Sequence, residues 1–197
     1  MITDEFGAML DDVRKRLDAL PEYAAYAERH GIRSAALLTV TDAEVAAAIT
    51  ERIGDRIRGK VVVEIGGGIG LLSIFMGSVA KTVFCIEANP VWAAAFTELL
   101  ISMKPNNVSY LLGSADQFVG IIKADVAVLC THSGVGPMMA LGHQLAGEVI
   151  DVHGEMIEAN PEKYDAVAVC GLSRNLCGVH RSERGGHHPQ RPRRQEG

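Results

Sequence analysis

The ten residues Val61-Val62-Val63-Glu64-Ile65-Gly66-Gly67-Gly68-Ile69-Gly70 restrict what this chain can fold into more than any other stretch. Three consecutive β-branched residues before an acid read as a buried strand. The glycines at 66, 68 and 70 read as a tight turn whose bare backbone can lie against a ligand. The pattern is E-x-G-x-G-x-G, and a nucleotide-like cofactor is its natural occupant. Downstream the unit repeats: strands are expected at 61–65, 82–87, 107–112 and 125–130, and helices at about 69–79, 90–103, 115–122 and 136–150. Such alternation predicts an α/β fold with a doubly wound, mostly parallel sheet, whose ligands bind beyond the carboxyl ends of the strands near the topological switch. Residues Asp165 to Cys170 read as a fifth strand or as the end of a helix begun near Pro161.

Upstream of the glycine turn the pattern is helical. Phe6, Met9, Leu10, Val13, Leu17 and Leu20 recur at three- and four-residue spacing within 4–30, with Pro21 opening a second short helix that stops at His30-Gly31. Thr41-Asp42-Ala43-Glu44 has the spacing of a capping box, with Thr41 as the cap of a helix over about 42–57. The expected organisation is a helical cap over 1–58, an α/β domain over 59–170, and a basic tail over 171–197 too poor in large aliphatics to bury a sheet edge.

Composition narrows the partners. The chain has 197 residues, 48% hydrophobic and 22% charged, which suits one globular domain. No apolar run approaches the ~20 residues of a membrane helix, and Met1 to Leu10 carries acids where a secretory signal carries bases. A cytoplasmic protein with no membrane partner is expected. The net charge is −5, but 171–197 holds six arginines against two glutamates, which leaves −9 for residues 1–170. An acidic body argues against nucleic acid as a partner, since that affinity is dominated by phosphate neutralisation. Cys85 and Cys130 lie in apolar strand-like runs and read as free thiols. Cys170, Cys177, His180, His187 and His188 match no zinc spacing, so no metal is expected.

The region 61–130 resembles the cofactor-binding half of class I S-adenosylmethionine-dependent methyltransferases, a Rossmann-like family. Its first motif, an acid followed by G-x-G-x-G, is filled by Glu64, Gly66, Gly68 and Gly70. The resemblance implies that Glu64 organises the loop around the methionine part of the ligand. It implies that Glu87, 17 residues after Gly70 at a strand end, accepts the ribose hydroxyls. In Gly113-Ser114-Ala115-Asp116 it implies that Asp116 receives the adenine amino group, with Ala88, Ser114 and Ala115 lining the adenine slot. The end of the fourth strand, Thr131-His132-Ser133-Gly134, would face the transferable methyl, and His132 is the candidate base there. A dinucleotide reading needs G-x-G-x-x-G and fails at Leu71.

The resemblance is incomplete. The family's sheet runs to seven strands, and the composition of 171–197 does not suit the last pair, so a shortened C-terminal part is expected, with an open sheet edge that favours homo-oligomers. Residues 130–133 are not the N/D-P-P-Y/F of adenine N-methylases. The expected function is methyl transfer from S-adenosylmethionine to a small-molecule acceptor. The alternative is a noncatalytic S-adenosylmethionine-binding protein with a remnant of the fold.

Overall fold

A computed structural model describes residues 4–30, 40, 42–130 and 135–152. Helices α1 (Asp4–Asp18), α2 (Pro21–His30) and α3 (Ala43–Ile57) precede β1 (Val61–Ile65). Then come α4 (Leu71–Met76), β2 (Thr82–Glu87), a 3-10 turn at Pro90–Trp92, α5 (Ala93–Met103), β3 (Val108–Leu112), a 3-10 turn at Ala115–Phe118, β4 (Ala124–Leu129), α6 (Val135–Leu145) and β5 (Ala146–Asp151).

The strands form one sheet in the order β3-β2-β1-β4-β5, and every pairing is parallel. β1 is central, and the chain leaves it first toward β2 and β3 and then returns to β4 on its other side. That reversal places a crevice at the carboxyl end of β1, where ligands of open α/β sheets bind.

Strand alternation builds two cores. Val62, Val83, Val126 and Val128 face the layer of α1, α3, α4 and α5, joining Leu10, Val13, Leu17, Ile49, Ile53 and Leu99 in one buried cluster. Val63, Ile65, Ile86, Ala127 and Leu129 face the opposite layer, with Ala115 and Leu145. The predicted apolar stripe of α1 is therefore used: Leu10, Val13 and Leu17 are 3% exposed or less. The same cluster runs across the boundary at 58–59, so the N-terminal helices share a core with the sheet.

The structure corrects several expectations. The helix expected over 136–150 ends at Leu145, and 146–151 becomes β5, pairing Val126 with Glu148 and Val128 with Ile150. Gly147 followed by the β-branched pair Val149-Ile150 disfavours helix, and the strand satisfies the backbone of β4 on the side away from β1. The possible fifth strand at 165–170 and the tail lie outside the described residues. Helix 69–79 is shorter, Leu71–Met76, because the glycine turn extends to Gly70. The segments 90–103 and 115–122 begin as 3-10 turns, and the second remains one.

The start of α3 is also corrected. Asp42 is its N-cap, its Oδ1 accepting from the amides of Glu44 at 2.8 Å and Val45 at 3.1 Å. A two-residue reach to an orphan amide suits an aspartate as well as a threonine, and spacing alone does not separate Thr41 from Asp42. Thr41 lies outside the described residues. At the opposite end of α3, Arg56 pairs with Glu148 of β5 at 2.6 Å, and Lys60 reaches the same carboxylate at 3.4 Å. Replacing Asp42 by Ala is expected to lower stability by about 1 kcal/mol, measured by denaturant unfolding, because two helix amides lose their acceptor.

Candidate functional site

Three of the four glycines in the turn have left-handed backbone: φ is +76° at Gly66, +57° at Gly68 and +74° at Gly70. These are the three that the E-x-G-x-G-x-G pattern singles out, and an L side chain there is strained. Gly67 is required for a different reason. A Cβ on it would overlap Cys85 Sγ and stand 3.2 Å from Glu64 Oε2. Gly70 combines both demands, since a Cβ there would overlap the Phe96 ring. Leu71, where a dinucleotide motif would put glycine, is fully buried at the start of α4.

The turn is tied down by backbone and side chains. The amides of Gly66 and Gly67 donate to the Ile86 carbonyl at 2.8 and 3.1 Å, and Gly70 donates to the Gly67 carbonyl at 2.8 Å. Glu87, at the carboxyl end of β2, accepts from the Gly68 amide at 2.9 Å through Oε2 and from the Asn89 amide at 2.7 Å through Oε1. Tyr110 of β3 donates its hydroxyl to the Gly68 carbonyl at 2.9 Å.

Glu64 does not reach the open side of the turn. It is 1% exposed and accepts a hydrogen bond from Ser73 Oγ of α4. Parallel pairing puts Glu64 opposite Cys85, and Cys85 opposite Tyr110, so these three side chains form a row across β1, β2 and β3 beneath the turn. Burial raises the Glu64 carboxyl to about 7, against the pull of the Ser73 bond, and nearby Glu87 adds to the rise. Burial also raises Glu87, with the amides of Asn89, Gly68 and Ala88 pulling it back down. It pushes Cys85 and Tyr110 further toward their neutral forms.

Beside the turn lies a cleft of about 140 Å³ lined by Ile65, Gly66, Ile86, Glu87, Ala88, Gly113, Ser114, Ala115 and Met138. Of the residues expected to hold cofactor, Gly66, Glu87, Ala88, Ser114 and Ala115 meet on this cleft. Gly68 and Gly70 belong to the turn behind it, and Glu64 lies beneath that turn. Asp116 is exposed, hydrogen-bonded by Ser114 Oγ, and is not among the lining residues. His132 lies outside the described residues. Sequence reasoning passed over Ser73, Tyr110 and Phe96. Ser73 is the one polar residue of α4, and Tyr110 falls in the strand row of Glu64 and Cys85. Larger clefts lie between α1 and α5 and beside α1 and α3, away from the strand ends. Among the described residues no group of side chains could hold a metal, and no helix is long and apolar enough to cross a membrane.

No family model and no curated protein matches the chain. Solved structures do. Trm5b from Pyrococcus abyssi is 23% identical with a TM-score of 0.47, over 55% of this chain and 32% of that one. The M. jannaschii tRNA m1G37 methyltransferase is 18% identical with a TM-score of 0.44, over 52% and 31%. A SAM-dependent methyltransferase from Thiobacillus denitrificans, in complex with S-adenosyl-L-homocysteine, is 20% identical with a TM-score of 0.46, over 52% and 44%. The chain thus spans less than half the length of each of these three. One expectation is corrected by these findings. The argument against nucleic acid as a partner does not stand, because a tRNA methyltransferase is among the similar structures. Net charge summed over a chain does not report what one face carries.

The Glu64 proton gives a stability test. The folded protein holds it up to about pH 7, whereas an unfolded glutamate releases it near 4.5, so stability falls as pH rises between those values. The expected loss is about 3 kcal/mol, read by urea unfolding at pH 5 and pH 8, and Glu64→Gln removes most of that slope. The all-parallel register, the strand order and the glycine turn after the central strand give this chain a doubly wound, Rossmann-like fold.

Proposed function

We propose that this chain binds S-adenosylmethionine at the Gly66–Gly70 turn and belongs to a methyltransferase. The observation that carries the reading is the convergence, at the carboxyl ends of β1, β2 and β3, of a left-handed glycine turn, the Glu87 carboxylate and the cleft at Ser114 and Ala115.

The residues present fit such a ligand. Glu87 holds the turn through the Gly68 amide at Oε2 and the Asn89 amide at Oε1, and a carboxylate's roughly four lone-pair sites leave acceptor capacity for a ribose hydroxyl. Ile86, Ala88, Ala115 and Met138 give the cleft apolar walls suited to a flat purine. Asp116, next in the chain to the lining residue Ala115, is within the segment where the family resemblance would have an adenine amino group received. Gly66 is exposed on this cleft, where its bare backbone permits close approach of the amino-acid portion. Bound S-adenosylmethionine supplies a methyl group on a sulfonium, already a strong electrophile.

The chain's own part is binding, orientation and exclusion of water. Glu64 lies below the turn, so it supports the loop rather than touching ligand, and a cationic ligand above it favours its ionised form. A nucleophile delivered over the end of β4 needs proximity and alignment more than acid-base help. His132 is the residue of that segment proposed to accept a proton where the acceptor releases one. The acceptor, read from the sequence as a small molecule, is to be tested alongside RNA.

Calorimetric titration with S-adenosylmethionine and S-adenosylhomocysteine tests the reading. Binding of either is expected, and binding of neither sinks it. Glu87→Ala is expected to weaken binding by about 1.5–3 kcal/mol through loss of charge-assisted bonds, and unchanged affinity removes Glu87 from the site. Methyl transfer to transcripts or to a metabolite panel then separates acceptor classes. Binding without transfer to either leans toward the noncatalytic alternative.

A further inference from the structure

We infer that Tyr110 is a positioning residue for cofactor binding: with Phe96 it forms an aromatic brace that holds Gly68 and Gly70 in the left-handed conformation that shapes the turn beside the cleft. The inference rests on the proposed cofactor site.

The geometry is specific. Tyr110 on β3 and Phe96 on α5 stack with ring centroids 4.3 Å apart and planes 25° apart. Each ring meets a different left-handed glycine. The Tyr110 hydroxyl donates to the Gly68 carbonyl at 2.9 Å, while the Phe96 ring fills the space that a Gly70 side chain would need. Gly68 is gripped from both sides, since its amide donates to Glu87 at 2.9 Å. The strand row beneath supplies the alignment, because Tyr110 stands opposite Cys85, whose sulfur abuts Gly67.

A glycine turn left to itself samples many conformations, and fixing each backbone residue costs conformational entropy. Ligand binding meets that cost unless the protein has met it already. The brace meets it during folding, at two buried glycines of the turn whose exposed member, Gly66, lines the proposed cleft. The phenol is suited to this because burial first, then the charges of Cys85, Glu87 and Glu64, disfavour its ionisation. It therefore stays a donor over the working pH range. A phenylalanine at 110 would keep the stack and lose only the bond to Gly68.

The test compares wild type, Tyr110→Phe and Ile57→Val. Ile57 is fully buried at the far end of α3, toward the amino end of β1, so its truncation costs stability without touching the turn. Tyr110→Phe is expected to weaken S-adenosylhomocysteine binding by about three- to tenfold. In the ligand-free protein it is expected to speed amide exchange at Gly70 by about threefold or more, as seen by NMR. Ile57→Val is expected to leave affinity unchanged, which a merely structural effect of Tyr110 would not distinguish. Affinity of Tyr110→Phe within about twofold of wild type overturns the inference while leaving the cofactor reading intact. If wild type binds neither S-adenosylmethionine nor S-adenosylhomocysteine, the cofactor reading fails instead, and Gly70 exchange alone decides whether the brace orders the turn. Should Tyr110→Phe not fold, Phe96→Leu, which removes the stack, is judged by the same two readouts.

Discussion

The glycine turn packs so closely at Gly67 and Gly70 that neither has room for a side chain, and that contact governs the rest of the site. Cys85 Sγ occupies the place of a Gly67 side chain, and the Phe96 ring occupies that of Gly70. Close approach lets Glu87 and Tyr110 reach Gly68 with short side-chain bonds. Bulk at any of these points would lift the turn away from β2 and open the distances on which those bonds depend. Left-handed backbone and tight packing meet at Gly70, while Gly67 answers to packing alone and Gly66 to backbone alone.

The ground beneath the turn is electrically adaptable. Glu64, Cys85 and Tyr110 are all held toward their neutral forms by burial, and Glu64 alone sits near the point where it changes charge at physiological pH. A neutral foundation suits an empty loop, and an anionic one suits a cationic occupant. Ser73 bonds to the carboxylate, so the proton on Glu64 is balanced between desolvation and that hydroxyl.

The periodic part of this architecture was legible in the residues. Runs such as Val61–Ile65 and Thr82–Glu87 declare buried parallel strands, and the glycine pattern marks the three positions that adopt positive φ. What escaped reading depends on contacts between elements. Residues 146–151 follow an apolar helix directly, and the weak local signal of Gly147 and Val149-Ile150 becomes a strand by pairing with the free side of β4. The cap at Asp42 competes with an equally suitable Thr41. The role of Asp116 came from the family resemblance alone, and its exposure belongs to the 3-10 turn that Ser114 begins. Tyr110 and Phe96 carry no local motif, since their role arises from the meeting of β3, α5 and the turn.

The row Glu64–Cys85–Tyr110 depends on counting as well as chemistry. Side chains alternate faces along a strand, so one residue inserted or deleted within β2 ahead of Cys85 would turn Cys85 and Glu87 to the opposite layer together. The turn would lose its floor and its latch in a single step, with every amino-acid type preserved. The number of residues between Val83 and Glu87 is thus as strongly fixed as any side chain in the site.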